Sequence, residues 1–202
     1  MPFIRAFIAI SLTDEIYQHL DQVISLLQSR LPKAPVRWAP ANNIHLTLKF
    51  LGEISTANLA VLQKTLQAEV SRHAPFEISV GEVGAFPSIR RPRVIWVGVK
   101  APPELHTVQH NVEAELARLG YAAEERDFSP HLTLGRIGRN ATPEEVHKIS
   151  EVLSSVRVGF LGAARVQTVH LYRSDLQPGG ALYTRLFTAH LAASEGQVSG
   201  GN

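Results

Sequence analysis

The tetrapeptide His45-Leu46-Thr47-Leu48 returns unchanged as His131-Leu132-Thr133-Leu134, 86 residues further along a chain of 202. In each copy polar and apolar residues alternate, the period of a half-buried strand. His and Thr therefore share one face, and the two Leu share the other. The flanks agree too. Lys49-Phe50-Leu51-Gly52-Glu53 follows the first copy and Gly135-Arg136-Ile137-Gly138-Arg139 the second, so both fit His-Leu-Thr-Leu-x-x-aliphatic-Gly. Self-similarity at this level reads as an internal duplication, which commits the chain to two similar halves.

The remaining pattern is consistent with such halves. Residues 3–10 read as a strand. Residues 13–31 read as a helix with Thr13 as N-cap, Asp14 and Glu15 at its positive end, and Ile16, Leu20, Val23, Ile24 and Leu27 as its apolar stripe. Pro32, Pro35 and Pro40 hold the next stretch extended or turning. A motif strand at 44–50 precedes a helix at 57–72. Strands follow at 76–83 and 93–99, joined by a loop bearing Arg90, Arg91 and Arg93, then a helix at 102–119. The second motif strand, 131–137, precedes a helix opened by Thr142-Pro143-Glu144-Glu145, a strong start signal, and ending near residue 156. Strands at 164–172 and 182–189 follow, with Pro178-Gly179-Gly180 turning between them. From residue 192 the chain passes into Ser, Gly, Gln and Asn and reads as a flexible tail. Intermixed strands and helices indicate an α/β or α+β domain of two similar halves.

Composition removes several classes of chemistry. With no Cys, disulfides, thiolate zinc sites and thiol nucleophiles are excluded. The formal net charge of +2 does not by itself imply nucleic-acid binding. The apolar start carries Arg5 and meets Asp14-Glu15 directly, so no signal peptide is expected, and no apolar run is long enough to cross a membrane. No Gly-rich loop with a Lys supports triphosphate hydrolysis.

One His-x-Thr on a strand usually marks a half-buried polar edge. Two copies with identical spacers, in a chain with nine His, point to shared chemistry. Two imidazoles and two hydroxyls can hold a phosphate between them, one imidazole taking a proton while the other gives one. Imidazole suits both roles because its ordinary pKa lies near 6.5. The repeat makes the roles interchangeable. The reading leans to His45 as acid and His131 as base.

On these motifs the chain resembles the 2H phosphoesterase superfamily. Within it the likeness is to the bacterial and archaeal RNA 2′,3′-cyclic phosphodiesterases, also called 2′-5′ RNA ligases. The likeness runs from Arg5-Ala6-Phe7-Ile8-Ala9 through the stretch from His45 to Glu53, Phe86-Pro87, Pro92-Arg93-Val94-Ile95-Trp96 and the stretch from Phe128 to Arg136, to Ser174 and Tyr183. The resemblance implies an α+β, two-lobed fold. Its pseudo-symmetric lobes around His45 and His131 would carry antiparallel-rich sheets that flank a central cleft, with helices outside. Residues 1–191 would form one such domain and 192–202 the tail. The implied activity is hydrolysis of 2′,3′-cyclic phosphate RNA ends, or nucleoside 2′,3′-cyclic phosphates, to 2′-phosphates. No metal or cofactor is expected, nor an obligate protein partner or membrane, and the protein would act as a cytoplasmic monomer. The alternatives are 2′-5′ RNA ligation, the reverse reaction at the same site, and a non-catalytic nucleotide- or RNA-binding module.

Around the catalytic pair, Thr47 and Thr133 are expected to bind the phosphate oxygens. Phe50 and Arg136 occupy equivalent repeat positions, which would set an aromatic and a guanidinium at opposite rims of one cleft, with a base stacked between, and Arg136 could instead, or also, neutralise the phosphate. Phe50 could equally be a core residue. The parity of Arg136 differs from that of His131, so it reaches the site only if the strand bends near Gly135 or ends there. In the resembled family this Arg matters for activity, and Tyr183 matches a position near the cleft. Weaker candidates are His106 and His110, spaced i, i+4 on a helix and read as solvated surface. The Arg90, Arg91 and Arg93 cluster reads either as an RNA-backbone track or as a solvated loop. Trp38 and Trp96 read as core or edge aromatics.

Overall fold

The computed structural model describes residues 2–177 and 180–193. In chain order the elements are β1 (Phe3–Ile10), α1 (Asp14–Arg30), β2 (Val36–Trp38), a 3-10 turn (Ala41–Asn43), β3 (Leu46–Ser55), a second 3-10 turn (Thr56–Asn58) and α2 (Leu59–Val70). Then come β4 (Phe76–Ser88), β5 (Arg91–Lys100), α3 (Pro103–Arg118), β6 (His131–Ile137), α4 (Pro143–Ser155), β7 (Phe160–Val166), β8 (Thr168–Gln177) and β9 (Gly180–His190). The strands form two antiparallel sheets, ordered β3-β1-β8-β9 and β2-β6-β5-β4-β7. The α+β class with two pseudo-symmetric sheets is as the sequence implied. Among the described residues no helix is long and apolar enough to cross a membrane.

The local signals hold. Thr13 Oγ1 accepts from the Ile16 amide, and all five residues of the expected α1 stripe are buried. Thr142 and Glu145 form a reciprocal capping box at the start of α4. The 86-residue offset also relates whole elements. It carries β1, α1, β3 and α2 onto β5, α3, β6 and α4, so the pair β1–β3 corresponds to the pair β5–β6.

The two sheets, however, are not the two sequence halves. β4 comes from the first repeat and pairs with β5 in the second sheet, whereas β8 comes from the second repeat and pairs with β1 in the first. Each sheet therefore takes strands from both halves. The helices cross as well: α1 contacts β7 and α4 contacts β5, while α2 contacts β9 and α3 contacts β3. A single buried hydrophobic cluster runs through both sheets and their helices. Such an exchange ties the lobes to one core.

Two expectations are corrected. The strand expected at 164–172 is two strands in different sheets. The chain leaves one sheet and enters the other at Gln167, whose carbonyl accepts from the Leu191 amide instead of a strand neighbour (3.0 Å). Arg91 and Arg93 lie on β5, not in a loop, because the β4–β5 hairpin closes on residues 89 and 90. The Pro-flanked stretch after α1 is extended in part, as expected, and there forms β2, which pairs with β6. Residues 194–202 of the expected tail, and Pro178 and Gly179 of the expected turn, lie outside the described residues.

Candidate active site

Each motif strand enters the space between the sheets with its Leu residues in the core and its His and Thr half-buried. Leu46, Leu48, Leu132 and Leu134 are all buried. Both imidazoles are fixed in the same way. His45 Nδ1 lies 2.9 Å from the carbonyl oxygen of Asn43, and His131 Nδ1 lies 2.8 Å from that of Ser129. A carbonyl only accepts, so Nδ1 carries the proton and Nε2 is left as the free ring nitrogen of each neutral imidazole. Asn43 is itself held. Its side-chain amide donates to the Ala181 carbonyl at the start of β9 (3.0 Å).

Beyond the motifs the two strands share an irregularity. Ile8 and Ala9 of β1 pair with Lys49 and Thr47, which leaves Leu48 as an extra residue. In the second sheet Ile95 and Trp96 of β5 pair with Gly135 and Thr133, which leaves Leu134 extra. An extra residue reverses the alternation of faces. Leu48 and Lys49 are both buried, as are Leu134 and Gly135, and the next residues, Phe50 and Arg136, are exposed. The shift therefore delivers Phe50 and Arg136 to the same side as the His and Thr of their strands. Phe50 is 66% exposed, which rules out a core role.

These residues surround one cleft of about 230 Å³, lined by His45, Thr47, Phe50, His131, Thr133, Arg136 and Tyr183. The structure thus brings together every site residue expected from the sequence. The lining also includes Arg37, Trp38 and Asn43, and among the described residues it contains no Asp or Glu. Past Phe50 and Arg136 the cleft opens into a groove of about 770 Å³, whose walls include Phe86, Arg93, Arg126 and Phe128. Arg90 and Arg91 line neither space. His106 meets the edge of Phe128, and among the described residues neither it nor His110 belongs to a potential metal-ligand group.

The aromatic surroundings of the imidazoles differ. His45 stacks on Phe7, with centroids 4.5 Å apart and planes inclined by 24°, and it meets Tyr183 edge-on at 5.1 Å. Tyr172 stacks on Phe7 at 5.3 Å, lies 6.2 Å from the His45 ring, and shares a 2.7 Å hydrogen bond with Ser11. His131 meets Phe86 edge-on at 4.8 Å, and Phe86 leans on Trp96. Burial disfavours an imidazolium, and it pushes His45 down to about 4, only partly offset by the bond to Asn43. Burial lowers His131 as well. The Ser129 carbonyl opposes that shift, and the positive charge of Arg136 adds to it.

Arg37, Asn43, Phe7, Phe86 and Tyr172 were not singled out as site residues from sequence. Phe7 and Phe86 fall within the segments that carry the family likeness, a signal that could have marked them. Arg37 gave none, because its role depends on β2 pairing with β6.

The sequence profile of the 2′-5′ RNA ligase superfamily matches residues 12–178. A relative from Methanothermobacter thermautotrophicus, named RNA 2′,3′-cyclic phosphodiesterase, is 33% identical over 181 residues, covering 90% of this chain and 95% of that one. A crystal structure from Thermus thermophilus superposes with a TM-score of 0.77 at 25% identity, covering 95% of this chain and all of the other. A crystal structure of Escherichia coli LigT complexed with 3′-AMP gives 0.73 at 27% identity, again over 95% of this chain and all of the other.

Proposed function

The chain belongs to the 2′-5′ RNA ligase superfamily, and on that premise we propose that its cleft hydrolyses RNA 2′,3′-cyclic phosphate ends to 2′-phosphates by two-histidine acid–base catalysis. The observation that carries this reading is the pair of imidazoles held identically through Nδ1, beside two threonines, in one cleft without carboxylates.

The cyclic phosphate enters with its phosphorus between the two Nε2 atoms. As water attacks, His131 Nε2 takes the water proton. The P–O3′ bond breaks, and His45, as imidazolium, protonates O3′. A 2′-phosphate and a free 3′-hydroxyl remain. Each positioned acid or base is typically worth about 10²–10⁴ in rate. Thr47 and Thr133 donate to the non-bridging oxygens and hold the in-line geometry.

Two contacts support this division of roles, and the deeper burial of His45 opposes it. The face of Phe7 stabilises a charge on His45 by a cation–π contact. The guanidinium of Arg136 opposes a charge on His131 and keeps it a base. In the free protein both imidazoles are held neutral, and the phosphodiester anion restores the charge that burial removes from His45. Phe50 and Arg136 stand where cleft and groove meet, so a terminal base can stack between them. The cleft forms within one chain, which supports a monomer. Ligation is the reverse step at the same residues and requires a second RNA end.

The test is hydrolysis of adenosine 2′,3′-cyclic phosphate in EDTA, with the product identified by ³¹P NMR. Adenosine 2′-phosphate is expected. Loss of activity that a divalent ion restores would overturn the two-histidine mechanism.

A further inference from the structure

Arg37 and Arg136 face each other directly in the β2–β6 pairing, and both side chains are exposed to the catalytic cleft. Like charges in directly opposed cross-strand positions destabilise a sheet. Some arginines elsewhere on this molecule meet carboxylates: Arg72 with Glu69, Arg118 with Glu115, and Arg173 with Asp175. Among the described residues neither Arg37 nor Arg136 is ion-paired; the cleft lining holds no Asp or Glu, and the carboxylates along the walls, Glu124 and Asp127, lie in the groove beyond Arg136.

Charge counting sharpens the point. The reacting cyclic phosphate brings one negative charge. Against it the cleft sets the two guanidiniums and, in the working state, one imidazolium. That leaves the cleft with two positive charges more than the reacting group neutralises. A guanidinium presents several donors in one plane and binds phosphate oxygens two at a time. Two of them on adjacent strands, with backbones about 5 Å apart, can grip a single anion.

From this geometry, and resting on the cyclic phosphodiesterase reading above, we propose that Arg37 and Arg136 form a second phosphate site, which takes the phosphodiester on the 5′ side of the terminal nucleotide. The substrate is then an RNA chain end rather than a free nucleoside 2′,3′-cyclic phosphate. The directions are compatible. The terminal base passes between Phe50 and Arg136 toward the groove on the β5 side. The chain leaves over Arg37 on the β2 side, since β6 lies between β2 and β5. Arg136 serves both, stacking through its face and bonding phosphate through its edge.

The test compares two ligands that differ only in the second phosphate. Adenosine 2′-phosphate and adenosine 2′,5′-bisphosphate are titrated into the protein by calorimetry at low and high salt. The bisphosphate is expected to bind tenfold or more tightly, with a steeper loss in salt. In Arg37→Ala that preference falls to near unity, and Arg37→Lys restores part of it. Arg37 is exposed, and Arg37→Gln keeps most of its stem, so a second variant guards against a folding artefact. Equal affinity for the two ligands, or a preference that survives in Arg37→Ala and Arg37→Gln, overturns the proposal. These are binding measurements, so they stand even if the protein does not turn over cyclic phosphates. Conversely, a protein that hydrolyses adenosine 2′,3′-cyclic phosphate but shows no such preference retains its proposed activity and loses only the second site.

Discussion

The first motif strand and the second repeat one pattern, and they differ in what surrounds their imidazoles. What they share is backbone work. Each fixes its imidazole through the carbonyl two residues back, and each inserts an extra leucine, Leu48 or Leu134, that turns the following side chains. What they do not share is the environment. His45 stacks on Phe7, deeper in the protein, while His131 stands perpendicular to Phe86 and feels Arg136. Two equivalent imidazoles would have no reason to divide acid from base. The divergence of their neighbours supplies one.

The residue just past the extra leucine shows the same split. Lys49 is 4% exposed. Its ammonium bonds Glu113 on α3 and the Ala122 carbonyl (2.7 Å), and Glu113 also accepts from the Glu124 amide. The first strand thus anchors the segment that walls the groove. At the equivalent position Gly135 has no side chain, and a Cβ there would lie 2.9 Å from Val36 Cγ1 and 3.0 Å from Trp38 Cε3. The second strand thereby admits β2, and with it Arg37.

If the two strands form one catalytic unit, breaking either should cost nearly the whole. His45→Ala and His131→Ala are each expected to lower kcat by about 10²–10⁴, with the double variant little worse than either. A single variant with near-normal kcat on an unactivated substrate would show that the pair does not act together. The next effect is on stability. Lys49→Met leaves the half-buried Glu113 without its cation and should cost about 2–3 kcal/mol in denaturant unfolding, below the full penalty for a buried pair. Adding Glu113→Leu should recover much of that loss. A Lys49→Met protein of unchanged stability would mean that the anchor carries no weight.

A smaller effect is expected at the rim. Stacking is worth about 1–3 kcal/mol per base and tolerates any base. Phe50→Ala should therefore lower kcat/KM alike for purine and pyrimidine cyclic phosphates, and more than for a compact cyclic phosphodiester that lacks a base. Equal losses with and without a base would remove Phe50 from base binding.

Much of this site was legible in the sequence because it rests on local rules. Alternation placed His and Thr together, and the caps of α1 and α4 announced themselves. The position of Arg136 could not be settled, because strict alternation puts it on the wrong face. Only the pairing with β5 reveals that Leu134 is extra. Arg37 was invisible for a similar reason, since the four residues between Pro35 and Pro40 carry no periodicity. The exchange of β4 and β8 between sheets, and the approach of Tyr183 to His45, arise from pairings between distant segments that no local pattern encodes.

The most direct test of the divided roles is a histidine ¹H–¹⁵N NMR titration of the free protein, repeated with adenosine 2′-phosphate bound. Both imidazoles are expected in the Nδ1–H form, with His45 titrating near 4 and His131 below its ordinary value. Below 6.5 the unfolded chain then binds more protons than the folded one, so stability should also fall as the pH drops from 6.5 toward 4. A bound phosphate anion favours the charged imidazole, so it should raise both values, His45 the more. An Nε2–H form at either residue, or two histidines titrating together near 6.5 and unmoved by the ligand, would contradict the account.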